Sequence, residues 1–398
     1  MKLCLLTLLF ALAMGAGAEE SVIRIGVIGP FSGQSSRDMG ESIRGGARVF
    51  AGEANLLSQM LGKKIVLIEK DDEAKPDIGI ERSRELIDKD KVSVVVGFAN
   101  YGVVAKAAPL YQNAKVPLIV SAAAGGDITR QVPAPAGSPN YIFRVAGRDG
   151  LQTKAMFKDL VDRNKFAKIA ILHDTTPYGE AGRNNALEDL KARQMAPVAV
   201  ESFKVGDTDM REQLQRARAA GAEAIALYGL ATEDAMVVRS LARLEWKVPV
   251  VATWTASQRS FIELGGAAAE GTRVAVTFVE NELGGPSLEF GRNYRRVNGV
   301  DSIPSGVAAA QTYDALRLLY LALSLCHCDK PDDIRNALEN LDQRTHSTAI
   351  ARFRLPFSAT EHEAITGNMI VMGEIRKGKV VYAYKDEERA AVEARSGR

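Results

Sequence analysis

Short apolar runs rich in β-branched residues alternate along the chain with longer stretches whose apolar positions recur every three or four residues. Val22 to Ile28, Lys64 to Glu69, Val92 to Val96, Pro117 to Ser121, Lys168 to His173, Val198 to Phe203, Ala224 to Tyr228 and Val248 to Ala252 predict strands. Several are apolar at nearly every position, as strands covered on both faces are. In Gly40 to Leu57, the residues Ile43, Ala47, Phe50, Ala54 and Leu57 fall at spacings of four, three, four and three, on one face of a helix. Ala235 to Leu244 and Gly306 to Leu325 repeat that spacing. The alternation predicts an α/β fold of parallel sheets, with right-handed crossovers and helices on both faces.

In such sheets ligands bind beyond the carboxyl ends of the strands, so the loops there are the candidate sites. Gly29 to Gly40, Gly97 to Gly102 and Ser121 to Gly126 follow three of the predicted strands. Their small residues let backbone N–H groups come close to a ligand, and a following helix N-terminus favours a carboxylate. A second set follows later strands: Asp174 to Gly179, Tyr228 to Thr232 and Thr253 to Ser257. Tyr178, Tyr228 and Trp254 in these loops combine a flat apolar face with a polar tip, as small-molecule pockets use them. Each loop taken singly reads more readily as a turn than as a site, and each aromatic alone as an ordinary half-buried side chain.

The chain has 398 residues, 46% of them apolar and 25% charged, which is ordinary globular composition and too long for one core. The 51 basic residues exceed the 49 acidic ones by two, so no basic surplus exists to bind nucleic acid. Lys2, the apolar run Leu3 to Met14 and the small residues Ala16-Gly17-Ala18 predict a signal peptide over 1–18, cleaved after Ala18 to leave an exported, soluble product. Past Cys4, only Cys326 and Cys328 remain. A Cys-x-Cys pair is too close in sequence for easy disulfide geometry, and no second ligand cluster stands nearby. Two small residues ending an apolar helix is the expectation, with no metal and no part in ligand binding. The glycines Gly26, Gly29 and Gly33 do not make a dinucleotide fingerprint, and neither a nucleophile elbow nor a phosphate-binding loop occurs, which argues against an enzyme and against any cofactor.

One ordered set of motifs runs through the whole chain. It comprises Ile25 to Gly33, Val95-Val96-Gly97, Val116 to Ala123, Tyr141-Ile142-Phe143-Arg144, His173-Asp174 through Tyr178-Gly179, Lys204 to Asp209, Ala219 to Glu223 and Tyr313-Asp314-Ala315. This set resembles the periplasmic leucine/isoleucine/valine-binding protein family, the solute-binding subunits of ABC importers. The resemblance implies the type I periplasmic-binding-protein (Venus-flytrap) architecture, two Rossmann-like lobes with parallel sheets that clamp a ligand. It divides the chain into 19–144 with 278–354 and 145–277 with 355–398.

Carried over by position, the resemblance implies ligand-carboxylate contacts from Arg37, Asp38, Asn100, Tyr101, Ser121, Ala122 and Ala123. From the closing lobe it implies aromatic contacts at Tyr178 and Tyr228. Two positions depart from the family pattern. Gly125 stands where branched-chain binders have a carboxylate-binding threonine, and Thr255, beside Trp254, stands where they have an ammonium-binding glutamate. The function implied is capture of a carboxylate-bearing solute of the branched-chain amino acid type, by a monomer that delivers it to a membrane permease. Because Thr255 cannot pair an ammonium, either Asp38 replaces the missing charge or the ligand is a small aromatic or aliphatic carboxylate. A ligand-sensing receptor of the same fold is the other alternative.

Overall fold

The computed structural model describes residues 22–32, 36–132, 138–280, 285–341, 348–351 and 353–396. The predicted signal peptide, residues 33–35 and the side chain of Leu57 lie outside what is described. The strands fall into two sheets. The first holds β1 (Val22–Gly29), β2 (Lys64–Asp71), β3 (Val94–Gly97), β4 (Leu118–Val120) and β5 (Ile142–Arg144), in the order β2-β1-β3-β4-β5 and parallel throughout. The second holds β6 (Ile169–Asp174), β7 (Ala199–Phe203), β8 (Ala224–Tyr228), β9 (Val250–Ala252), β10 (Arg273–Val276), β11 (Val371–Arg376) and β12 (Lys379–Tyr382). Its order is β12-β11-β10-β9-β8-β6-β7, antiparallel only across β10-β11 and β11-β12.

Burial explains the apolar runs. Every residue of β3, β4, β6 and β8 is buried, because helices cover both faces of each sheet. The predicted face of the first helix, Arg37–Leu61, is buried at Ile43, Ala47, Phe50 and Ala54. That helix packs along Gly306–Cys326, which returns late in the sequence to complete the first lobe. The chain thus passes between the sheets three times: after β5, after β10 and before β11. The third passage is stitched to the first by Arg144 N–H donating to His362 O and Ala364 N–H donating to Arg144 O, both at 2.9 Å. The Arg144 guanidinium, fully buried, makes a two-pronged pair with Glu363 at 2.8 Å for each bond.

The expectation of unlinked cysteines is corrected. Cys326 and Cys328 form a disulfide, with Cα atoms 5.1 Å apart. Helix Gly306–Cys326 ends in His327 at φ 50°, and this left-handed turn brings two residues that are far apart in an extended strand within bridging distance.

Candidate functional site

In each sheet one pair of neighbouring strands sends its connections in opposite directions, and that divergence leaves a crevice at the strand carboxyl ends. In the first sheet it lies between β1 and β3, in the second between β6 and β8. The two crevices face each other: Gly102, in the helix after β3, stands so that a Cβ there would lie 3.7 Å from Pro177 Cγ, in the helix after β6. The start of the helix after β3 and the start of the helix after β6 therefore meet between the lobes.

The first-lobe wall is built on a tight backbone crossing. Gly97 has φ 147°, and a Cβ there would fall 2.0 Å from Ile28 O, so only glycine lets β3 end this close to β1. Phe98 follows at φ 63°, fully buried, and its N–H donates to Ile28 O at 2.8 Å. The reversed chain then starts helix Tyr101–Ala114 at Asn100, whose Nδ2 donates to Ser36 Oγ at 2.8 Å while its Oδ1 is buried with no partner among the described residues. Tyr101 lays its ring on the backbone of Gly125 and Gly126 and donates from its hydroxyl to Gln131 Oε1 at 2.7 Å. A Cβ at Gly125 would lie 2.5 Å from Tyr101 Cγ, so the glycine that replaces the expected threonine is the space this ring occupies.

The remaining first-lobe candidates are committed inside the protein. The Ser121 hydroxyl lies 2.8 Å from Thr312 Oγ1, joining β4 to helix Gly306–Cys326, and its N–H donates to Gly97 O. Ala123 N–H donates to Phe98 O, and both Ala122 and Ala123 are buried. Arg37 is largely exposed and donates from Nε to Glu41 Oε1 at 2.7 Å along its own helix, so its charge is not turned on the cleft. Asp38 spans the lobes instead of facing a ligand: Oδ1 accepts from Arg259 Nη2 at 2.9 Å and Oδ2 from Ser260 N–H at 2.7 Å. Both Asp38 oxygens thus accept hydrogen bonds from the opposite lobe.

The second-lobe wall carries the uncommitted polar groups. Tyr178, near the start of helix Pro177–Ala192, has a hydroxyl shut from solvent that no described residue engages in good hydrogen-bond geometry. Burial and then the nearby Asp149 push the pKa of this phenol well above its ordinary value, making it a weaker acid. Trp254 is buried and its Nε1–H has no partner among the described residues, while its backbone N–H donates to Gln152 Oε1 at 3.1 Å. Asp149 opens helix Asp149–Phe157 and is 2% exposed, and neither carboxylate oxygen has a partner among the described residues. Burial pushes its carboxyl from 3.8 up to about 7, with Arg144 pulling the other way. Its backbone N–H donates to Ala124 O at 3.1 Å, which seats it beside the loop after β4.

Tyr228 and Thr255 lie behind that wall. Tyr228 is 1% exposed, its hydroxyl donates to Thr153 Oγ1 at 3.2 Å, and its ring packs on Gly182. Thr255 donates from Oγ1 to Asp234 Oδ2 at 3.2 Å. Asp234 is fully buried, and burial followed by the neighbouring Asp174 holds its carboxyl well above the usual range.

The periplasmic binding protein family model matches residues 22–379. The chain belongs to the periplasmic binding protein family. The family is one of periplasmic binding proteins. A "Leu/Ile/Val-binding protein homolog 3" of Brucella melitensis is 28% identical to this periplasmic binding protein over 264 residues, 66% of this chain and 70% of its own length. The branched-chain amino acid transporter substrate-binding protein LivJ of Streptococcus pneumoniae, solved with isoleucine, superposes with a TM-score of 0.78 at 22% identity, over 90% of this chain and 98% of its own. A solute-binding protein of Rhodopseudomonas palustris, solved with benzoate, gives 0.78 at 18% identity, over 91% and 96%. These two likenesses establish the type I fold. No helix among the described residues is long and apolar enough to cross a membrane.

Sequence reading missed Asp149 and Arg259. Asp149 could have been flagged as an acidic residue opening a helix directly after the Arg144 motif. Arg259 gives no local signal, since its partner Asp38 lies 221 residues away.

Proposed function

We propose that this protein captures a small carboxylate-bearing solute, of the branched-chain amino acid type, between its lobes and presents it to the membrane permease of an ABC importer. The observation carrying this reading is the juxtaposition of two strand-end crevices across one cleft, with Asp149 and Trp254 contributing buried polar groups that have no partner among the described residues. The solute carboxylate would lie against the loop after β4 and the start of helix Tyr101–Ala114, where the partial positive charge of a helix N-terminus favours it. In this reading the lobes are 19–144 with 278–354 and 145–277 with 355–398, the leader is removed after Ala18, and the mature protein works as a monomer.

A second reading, capture of a small aromatic or aliphatic carboxylate, is favoured by Thr255 at the expected ammonium position and by Tyr101 filling the space at Gly125. The benzoate-bound Rhodopseudomonas protein is a fold neighbour of this kind. A thermal-shift screen of the amino acids, each against its deaminated analogue, separates the two. Ligand at a hundred times its Kd adds about 2.7 kcal/mol to stability. Stabilisation by the branched-chain amino acids supports the first reading, and stabilisation by the analogues alone supports the second. No shift from either set counts against both.

A further inference from the structure

A buried ionised carboxylate is expensive unless something pairs it, so a protein that keeps one unpaired at the edge of its binding cleft has a use for it. The described cleft carboxylates can be compared one by one. Asp38 is consumed by Arg259 and Ser260. Asp174 accepts from Thr176 N–H at 2.9 Å, from Thr176 Oγ1 at 2.5 Å and from Leu230 N–H at 3.0 Å. Glu233 accepts from Gly206 N–H at 3.0 Å. Asp234 accepts from Thr255 and has its other oxygen against Gly229, behind the wall. Among the described residues, Asp149 alone combines deep burial with two unpartnered carboxylate oxygens.

Position adds to this. The carboxylate and ammonium of an α-amino acid hang from the same carbon, so the group that meets the ammonium must stand next to the loop that holds the carboxylate. Asp149 meets that condition, since its own N–H is bonded to Ala124 O in the loop after β4. We infer that Asp149 pairs with a primary ammonium group on the captured solute and takes over the role that Thr255 cannot perform. The inference rests on the capture of a carboxylate-bearing solute proposed above, and it selects the amine-bearing class within it.

The surroundings leave Asp149 free for this. The cation nearest it in charge, Arg144, is already neutralised by Glu363. The titratable groups facing it from the second sheet and its helices are the phenols Tyr178 and Tyr228, neither of which carries a charge at neutral pH. Asp174 and Asp234, whose influence reaches Tyr178, bring no competing positive charge to the site. With its carboxyl near 7 in the free protein, Asp149 is partly protonated at neutral pH and gives that proton up when an ammonium binds.

Isothermal titration of leucine and of its deaminated analogue, 4-methylpentanoate, into the parent protein and Asp149→Asn tests the assignment. The parent is expected to bind leucine more tightly than the analogue, and Asp149→Asn to weaken leucine by about thirtyfold or more while leaving the analogue within threefold. A second measurement does not depend on the variant folding. From pH 5 to pH 8, leucine binding to the parent should tighten relative to binding of the analogue, because the ammonium needs Asp149 ionised and the analogue does not. Undiminished leucine binding by the variant, or leucine binding that does not tighten relative to the analogue as pH rises, overturns the role of Asp149. Tighter binding of the analogue by the parent overturns it as well and leaves solute capture standing. Binding of neither compound overturns it together with the capture reading beneath it.

Discussion

Asp72 and Asp149 are both carboxyls that the fold holds in a costly state, yet only one of them borders the cleft. Asp72 follows β2 and is fully buried; Oδ1 accepts from Ala74 N–H at 2.9 Å, and Oδ2 has no partner among the described residues. Burial is the main cause that pushes its carboxyl from 3.8 to about 7, and the adjacent Asp71 adds to it. As pH rises above about 4 the unfolded chain loses this proton while the folded chain keeps it. Stability therefore falls through the window from about 4 to about 7 and levels off above it. Asp72→Asn keeps the accepting oxygen and removes the titration. It should match the parent at pH 4 and exceed it by up to roughly 4 kcal/mol at pH 8. Urea unfolding of both proteins across that range checks this, and parallel pH profiles would contradict it. No such residue could be picked out from its letter in the chain: an aspartate after a strand reads as a turn residue until the helices Pro76–Arg84 and Tyr101–Ala114, packed on each other beside it, are known to bury it.

At the scale of elements, legibility follows burial on two faces. The eight strands read from apolar runs all exist, from β1 to β4 and from β6 to β9; β3, β4, β6, β8 and β9 are buried along their whole length, while the edge strands β2 and β7 are only half-buried and were read from their apolar positions. The strands left unread are β5, only Ile142–Arg144; β10, which opens on Arg273; and the hairpin β11–β12, which turns at Lys377-Gly378 and forms the sheet's antiparallel end with polar residues along it. Short or half-solvated strands carry no run long enough to stand out. The disulfide was unread for a related reason, since the left-handed conformation of His327 that permits it leaves no mark on composition. Cys326–Cys328 closes a very small loop at the end of Gly306–Cys326, remote in the fold from the cleft residues. Replacing both cysteines by serine should cost about 1–2 kcal/mol of stability on the loop-entropy account and leave ligand affinity unchanged. Thermal melts and calorimetry on the double variant read the two effects separately, and a weakened ligand affinity would contradict the assignment.

For the whole molecule, the decisive contacts are those that tie one lobe to the other. Arg259 Nη2 donates to Asp38 Oδ1 and Glu41 Oε2, each at 2.9 Å, and Arg259 N–H donates to Pro304 O at 2.8 Å. Helix Arg259–Gly265 thus presents its first turn to the first lobe, and Asp38 caps it from the opposite side of the cleft. The Arg259 side chain is 32% exposed, so its ion pairs are solvent-screened and contribute on the order of 1 kcal/mol. That is enough to bias two lobe arrangements about fivefold. Arg259→Ala should therefore expand the ligand-free protein slightly and weaken ligand binding several-fold without unfolding it. Equal radii of gyration for variant and parent would show that the pair does not hold the lobes together. The family motifs made the two-lobed plan legible, because they occur at strand ends that any such sheet exposes. The interlobe ion pairs of Arg259 were not legible, because its partners Asp38 and Glu41 lie more than two hundred residues away in sequence.

Capture between two lobes requires that the bound state gain contacts from both walls that the free state lacks, so ligand must shift the population towards closure. Small-angle scattering of the protein with and without a solute shown by calorimetry to bind tests this most directly. The account predicts a smaller radius of gyration at saturating solute, and an unchanged radius with the site demonstrably filled would contradict it.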